Sequence, residues 1–197
     1  MVVTVRSRGR LPHWEADRAT YFVTFRLADS LPASVLAAFR QQRDNILATT
    51  TESDPRSTAY QHDKLLELFD DLIERHLDAG AGSCHLAEPA IADMVEHALR
   101  HFEGRRYSLR AWSVMPNHVH VVFTPQREFS LAAIIHSWKS YTAVQANRML
   151  GRQGSFWQRE YYDHLVRDNA DFDRIVLYVL ENPRKAGLLD WRWVGSL

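Results

Sequence analysis

Two hydrophobic periods divide the chain. The run Tyr21-Phe22-Val23-Thr24-Phe25-Arg26-Leu27 is dense in β-branched and aromatic residues and predicts a strand. Asp29-Ser30-Leu31-Pro32 stops it and starts something new, with Ser30 or Ser34 available as a cap. Val35, Leu36, Phe39, Ile46 and Leu47 then recur at helical spacing. The polar, proline-containing stretch 49–58 reads as a loop. Leu65, Leu66, Phe69, Leu72, Ile73, His76 and Leu77 restore the 3.6-residue pattern up to a glycine stop at Gly80. Another helix is expected from about Pro89 to Phe102, ended by Gly104. Tyr107–Val114 and Val119–Phe123 read as two strands flanking a Met-Pro-Asn break. A long helix, Leu131–Leu150, stops at Gly151, and a loop to Gln158 leads to a short strand near His164–Val166. The final helix runs from Asp171 to about Arg184, capped by Asn169 or Asp171, with Phe172, Ile175, Val176, Val179 and Leu180 on one side. This order predicts an α+β fold with helices against an antiparallel sheet. One domain over 1–197 is expected, with 49–80 the least informative stretch and a possible helical insertion.

Composition adds limits. An apolar fraction of 46% and a charged fraction of 24% are ordinary for a globular chain of 197 residues. Cys84 is the single cysteine, so no intrachain disulfide forms and a reducing compartment is expected. Met1–Arg10 is Arg-rich and poor in apolar residues, unlike a signal peptide, and no window suits a membrane span. The expectation is a soluble cytoplasmic protein without a membrane partner. The formal net charge is zero, so a phosphate-binding face would have to come from local clusters. Arg6, Arg8 and Arg10, then Arg105, Arg106 and Arg110, then Arg184 and Lys185 are such clusters, while Glu67, Asp70, Asp71, Glu74 and Asp78 gather acid elsewhere.

The candidate chemistry lies in Met115-Pro116-Asn117-His118-Val119-His120-Val121. On a strand, His118 and His120 share one face about 6.6 Å apart along the chain, where two neutral imidazoles can share a divalent metal. Alone, such a pair is more often a couple of polar residues on a half-buried strand. A histidine-triad hydrolase needs a third histidine where Val122 stands, and a zincin needs helical His spacing around a Glu, which is absent. The second half of a site is Tyr178-Val179-Leu180-Glu181-Asn182-Pro183. Tyr178 and Asn182, at i and i+4, share a helix face and can supply a nucleophile and a metal ligand. The plainer reading makes Tyr178 a core aromatic and Asn182 a C-cap before proline. Tyr161 and Tyr162 lack such an i+4 partner, since Leu165 and Val166 stand there, and read as packing or DNA contacts.

Taken together, the H-φ-H strand after MPN, the long helix and the YxxxNPxKAG helix resemble the single-tyrosine transposases of the HUH superfamily. Within them the chain is similar to the REP-associated tyrosine transposases. The resemblance runs through 11–32, 107–123, HSWKSYTA (136–143), GSFWQREYYDHLVRD (154–168) and YVLENPRKAGLL (178–189). It implies a ferredoxin-like α+β sandwich whose central antiparallel sheet carries the two histidines. It implies metal ligands at His118, His120 and Asn182, where other branches carry Gln, and Tyr178 as the nucleophile. The implied reaction is metal-dependent cleavage and rejoining of single-stranded or hairpin (REP-like) DNA through a 5′-phosphotyrosine link. Mg²⁺ or Mn²⁺ is the expected cofactor, and a nitrogen-rich ligand set leans toward Mn²⁺.

For DNA contacts the candidates are Lys139, Trp157, Gln158, Arg159, Arg184 and Lys185, with Trp157 as a platform for an unpaired base. The rival functions are a catalytically silent hairpin-DNA-binding protein, a replication-initiator or relaxase-type nuclease, and an enzyme acting on RNA. A chain this short leaves a relaxase no room for its usual partner domains. Monomer and homodimer both stay open, with the monomer favoured.

Overall fold

Strand β3 (Tyr21–Arg26) lies second from one edge of a five-stranded sheet in the order β6-β3-β5-β4-β7. Its partners are β4 (Tyr107–Val114), β5 (His118–Pro125), β6 (Tyr162–Leu165) and β7 (Val194–Ser196), and every pairing is antiparallel. This computed structural model describes residues 3–7, 12–16, 19–48, 64–65, 67–68 and 70–197. The loop expected over 49–58 and the arginines Arg8 and Arg10 lie outside the described residues. The described chain divides into two compact units, Asp29–Ser83 and the remainder.

In the larger unit, α3 (Pro89–Arg100) connects toward β4, and α4 (Leu131–Met149) joins β5 to β6. Two interlocked βαβ halves with strand order β6-β3-β5-β4 make a ferredoxin-like α+β sandwich, as expected. β7 extends the sheet beyond β4, and β1 (Val3–Ser7) pairs with β2 (Pro12–Ala16) as a separate antiparallel ribbon. The hydrophobic pattern predicts neither β7 nor this ribbon.

Pleating sorts the sheet into two faces. Tyr21, Val23 and Phe25 of β3 join Val119, Val121 and Phe123 of β5 on the core face, under Ile91, Val95 and Leu99 of α3 and Ile134, Ile135 and Trp138 of α4. A register shift between Leu109 and Ala111 keeps both Leu109 and Trp112 on that face, since the extra residue of a bulge resets the alternation. Tyr107 knits the core. Its buried hydroxyl donates to the Leu99 carbonyl at 2.7 Å and accepts from Trp138 Nε1 at 3.0 Å, and burial raises its pKa.

The opposite face carries Phe22, Thr24 and Arg26 beside Val122, His120 and His118. Helix α5 (Asn169–Lys185) packs on it, burying Ile175, Val179 and Asn182. Its start differs from expectation. Asp168 is the N-cap, accepting from Asp171 N–H at 2.8 Å, because its extended backbone lets the side chain reach the first turn. Its end agrees with expectation to within a residue: the helix continues through Pro183 to Lys185, and Gly187, with φ of 79°, follows it.

The smaller unit contains α1 (Ala33–Ala48), with Phe39 and Arg43 buried, and a π-helical turn at Asp70–Glu74 leading into the short α2 (Arg75–Asp78). The helix expected to run evenly through Leu77 is therefore wound differently over its middle, although Gly80 ends it in the left-handed region as expected. The ends of this unit meet: Ser83 N–H donates to Asp29 Oδ2 at 3.0 Å, and a Cβ at Gly82 would stand 2.7 Å from the Asp29 carbonyl oxygen. Among the described residues no helix is long and apolar enough to cross a membrane.

Candidate metal and tyrosine site

His118 and His120 begin β5, both fully buried on the face under α5. Their Nε2 atoms stand 2.9 Å apart, and each Nδ1 has a partner of its own. His118 Nδ1–H donates to Asn117 Oδ1 at 2.7 Å; an amide oxygen only accepts, so the proton is on Nδ1 and the Nε2 lone pair points inward. His120 Nδ1 lies 2.8 Å from Thr24 Oγ1, whose hydroxyl can accept from it and set the same tautomer. At this separation one ring can donate to the other when Thr24 donates to His120 Nδ1, and with both protons on Nδ1 the two lone pairs can instead share a cation. Two cis ligands, each about 2.1 Å from one octahedral ion, would be separated by about this distance. The residues present fit a divalent metal.

The turn that carries Asn117 is held from three sides. Met115 N–H donates to the His118 carbonyl, while the Asn117 and Pro116 carbonyls accept from Leu27 and Leu86 N–H. Asn117 is itself fully buried, so its amide is positioned by packing as well.

From above, α5 brings Tyr178 against this pair. Its ring lies 5.5 Å from that of His120 and 5.9 Å from Phe22, edge-on to both, and Phe22 in turn stacks on His120 at 5.5 Å. Lys185 Nζ is 5.4 Å from the centre of the Tyr178 ring. Asn182 is 1% exposed, one turn beyond Tyr178 on the same helical face, and its Oδ1 has no hydrogen-bond partner among the described residues. A buried amide oxygen without a donor is costly, and a cation is one way to satisfy it. Its backbone carbonyl accepts from Ala186 N–H at 3.0 Å, so the capping bond there uses the main chain and leaves the side chain for another purpose.

Tyr162 shares this sheet face, opposite Thr24 on β6, with its ring edge-on to Phe22 at 6.4 Å. Tyr161 lies 5.9 Å from Lys139 Nζ. Among the tyrosines weighed from the sequence, Tyr178 has its ring edge-on to a histidine of the pair.

The expected DNA contacts separate. Trp157 requires correction: it is buried at 6% exposure, its Nε1 donates to Thr142 Oγ1 at 2.8 Å, and its ring packs on Phe25 and Phe156. No base can stack on it without opening the core. Lys139 Nζ donates to the Gln158 and Arg159 carbonyls at 2.7 and 2.8 Å. Burial, with the Arg26 charge adding, lowers its pKa to about 8. Gln158 is half-buried, and Arg159, Arg184 and Lys185 are exposed, Lys185 lying 3.7 Å from Glu181.

Arg26, Thr24 and Asn117 are absent from the sequence-based candidates. Arg26 pairs directly with His118 across β3 and β5. The signal was available in principle: the strand that pairs with H-φ-H must present alternate residues to the same face, but its register is not written in the sequence.

Comparison with known proteins gives the setting. Residues 87–182, which include the histidine pair, α4 and most of α5, match the family model described as Transposase IS200 like. Over this stretch the chain is similar to the IS200-like transposases. The resemblance to REP-associated tyrosine transposases drawn from the sequence holds. The REP-associated tyrosine transposase of Escherichia coli is 27% identical over 104 residues, covering 50% of this chain and 60% of its own. A relative from Haemophilus influenzae is 28% identical over 87 residues, 39% of this chain and 49% of its own. The chain thus spans about half to three fifths of the length of the curated relatives it matches. The solved structure of a REP-associated tyrosine transposase bound to a REP hairpin covers 92% of this chain and 79% of its own, with a TM-score of 0.50 and 16% identity, a likeness of fold.

Proposed function

We propose that the protein is a metal-dependent DNA strand-cleaving and rejoining transposase that acts on single-stranded or hairpin DNA with Tyr178 as its nucleophile. The observation that carries this reading is the histidine pair with Nε2 atoms 2.9 Å apart and the Tyr178 ring 5.5 Å from His120, inside the stretch that matches the transposase family. Its relatives' association with REP hairpins motivates the substrate class.

His118, His120 and Asn182 would hold a divalent metal, Mg²⁺ or Mn²⁺. Such an ion supplies Lewis-acid polarisation of the scissile phosphate and charge stabilisation for the departing oxygen. The chain's own residues do the rest. Asn117 and Thr24 hold the two imidazoles in the tautomer that aims Nε2 inward. Phe22, between β3 and α5, sets the place of the tyrosine ring against the sheet. Tyr178 Oη attacks phosphorus, the tyrosine O–P bond forms and the P–O3′ bond breaks. The phenolic proton is lost to solvent as the leaving oxygen becomes a 3′-hydroxyl. The phosphotyrosine ester keeps the bond energy, so a second 3′-hydroxyl can reverse the step and join a new strand. Lys185, over the ring, is a cation placed for the phosphate's approach.

The deciding experiment is a denaturing gel. Protein incubated with Mn²⁺ and single-stranded hairpin DNA labelled on the 3′ side of the break should give an adduct that survives SDS and maps to Tyr178. DNA binding without any adduct would identify a catalytically silent hairpin binder. Cleavage without an adduct would make water the attacker.

A further inference from the structure

The segment 186–196 runs from the end of α5 into β7 and is bonded to both halves of the candidate site. We infer that it is a strap that positions α5 against the histidine turn, with Trp191 as its bond to that turn and Asp93 of α3 as its anchor. These are positioning residues, acting through Asn182 and His118, and the purpose assigned to them rests on the metal-dependent DNA-cleaving reading.

At one end the strap is fixed to the helix. Ala186, Gly187 and Leu188 N–H donate to the Asn182, Arg184 and Pro183 carbonyls at 3.0, 3.0 and 2.8 Å, so its path starts at the residue proposed as a metal ligand. Further on it is bonded to Val114, the residue before Met115-Pro116-Asn117. Trp191 Nε1–H donates to the Val114 carbonyl at 2.7 Å, and Val114 N–H donates to the Trp193 carbonyl at 2.8 Å. Both main-chain polar groups of Val114 thus bond to the strap, immediately before the turn that carries Asn117 and His118.

The strap is itself held from α3. Asp93 accepts from Trp193 Nε1–H at 2.7 Å and from Arg192 Nη2 at 2.7 and 2.8 Å, and the Arg192 guanidinium lies 4.8 Å from the centre of the Trp193 ring. Trp191 packs edge-on to Trp193, also at 4.8 Å. β7 then lies so close to β4 that a Cβ at Gly195 would stand 2.7 Å from Trp112 Cζ2. An indole has few side-chain torsions and a single donor, so each of these bonds fixes a direction at small entropic cost.

Packing alone does not supply this precision. Ile175 and Val179 hold α5 on the sheet by burial, which has no preferred direction and tolerates a slide of the helix. A metal-ligand set must be held to within about 0.5 Å. His118 and His120 lie on β5 and Asn182 on α5, so that tolerance has to be met between two elements far apart in the chain. The strap closes the path with directional bonds, from Asn182 through Trp191 to Val114 and from there through the turn to His118.

The test uses the full chain with Trp191→Phe, which keeps an aromatic ring and removes the indole donor, and Asp93→Ala, which removes the anchor. Asp93→Asn keeps an oxygen for Trp193 and serves as the rescue, while Tyr107→Phe weakens the core away from the strap. Hydrogen exchange in EDTA reads the strap without metal. Trp191→Phe and Asp93→Ala should each speed exchange about tenfold or more at both 186–188 and 115–118, with Asp93→Asn close to wild type. Mn²⁺ affinity, measured by calorimetry, should fall about tenfold in the same two variants and hold within about twofold in Asp93→Asn and Tyr107→Phe. Should Asp93→Ala not fold, Trp191→Phe carries the test. Faster exchange confined to 186–194, or Mn²⁺ affinity in Trp191→Phe within about twofold of a metal-binding wild type, would overturn the proposal. So would a loss in Tyr107→Phe equal to that in Trp191→Phe. A wild type that binds no Mn²⁺ would remove the metal reading, and the exchange pattern would then decide the strap by itself.

Discussion

Replacing Thr24 by Val tests whether the histidine pair is a metal site or a buried polar contact. The substitution keeps the β-branched shape on β3 and removes one hydroxyl, 3% exposed and 2.8 Å from His120 Nδ1. Two consequences follow from that one atom. Taking the hydroxyl from a buried ring N–H costs about 1–3 kcal/mol of folding stability, the desolvation cost of the group it served. The imidazole also loses the bond that favours the Nδ1–H tautomer, and the alternative tautomer places a proton on Nε2, where a metal would need a lone pair. Removing an outer partner of a ligating histidine typically lowers metal affinity about 10–100-fold. The assay is a calorimetric Mn²⁺ titration of wild type and Thr24→Val, beside thermal melts in EDTA. We expect metal affinity to fall by that factor while the EDTA melt falls only modestly. Metal affinity within about twofold of wild type would refute the reasoning, whatever happened to the melt.

Tyr178→Phe removes one hydroxyl from a half-buried ring, so stability should change by about 1 kcal/mol or less, yet the SDS-resistant adduct should vanish; an adduct persisting on Tyr161 or Tyr162 would move the nucleophile. Asn182→Ala removes a buried amide oxygen that has no donor among the described residues, so the EDTA melt should hold or rise while the Mn²⁺-induced rise in Tm shrinks, and an unaltered Mn²⁺ response would remove Asn182 from the ligand set. Stability should also fall with acid through the buried His164–Asp171 pair, whose Nε2–Oδ2 separation is 2.7 Å. Burial, only partly opposed by Asp171, lowers the His164 pKa, so the unfolded chain takes up its proton first and stability declines as pH falls below about 6.5. Asp171 is itself lowered to about 2: burial pushes it up, but bonds from His164, Arg174 and the Arg167 N–H outweigh that, so its contribution is lost between about pH 4 and 2. Urea denaturation at stepped pH in EDTA should show His164→Gln with a shallower slope than wild type just below pH 6.5, and parallel slopes would refute the assignment.

What could be read from the chain depended on how locally each feature is encoded. The alternation in β3 and β5 showed which residues share a face, so His118 and His120 were legible as a pair and Val119 and Val121 as their core-facing complement. Tyr178 and Asn182 were legible because four residues make one helical turn. Thr24 and Arg26 were not, because their roles depend on a register with residues more than ninety positions away. Trp157 misled for the opposite reason. An aromatic in a polar, glycine-containing loop looks exposed, and only its bond to Thr142 and its packing on Phe25 reveal it as core. β7 and the β1–β2 ribbon escaped because segments of three to five residues carry no period long enough to detect.

Asn182 shows where local encoding runs out. An asparagine followed by proline near a helix end suits a C-cap, and it equally suits a ligand one turn beyond a tyrosine. Those two readings make different demands on different atoms. Ending the helix requires main-chain carbonyls to find donors, and they do, through Ala186, Gly187 and Leu188 N–H. The side chain takes no part in this: it is buried in the face turned to the sheet, and its oxygen accepts from no donor among the described residues. Proline in the next position would ordinarily break the helix, yet α5 runs on to Lys185. The helix therefore keeps Asn182 in register with Tyr178 despite the proline, and a side chain so placed needs a reason that capping does not supply. Metal ligation supplies one, and the Asn182→Ala melts decide whether it is the right one.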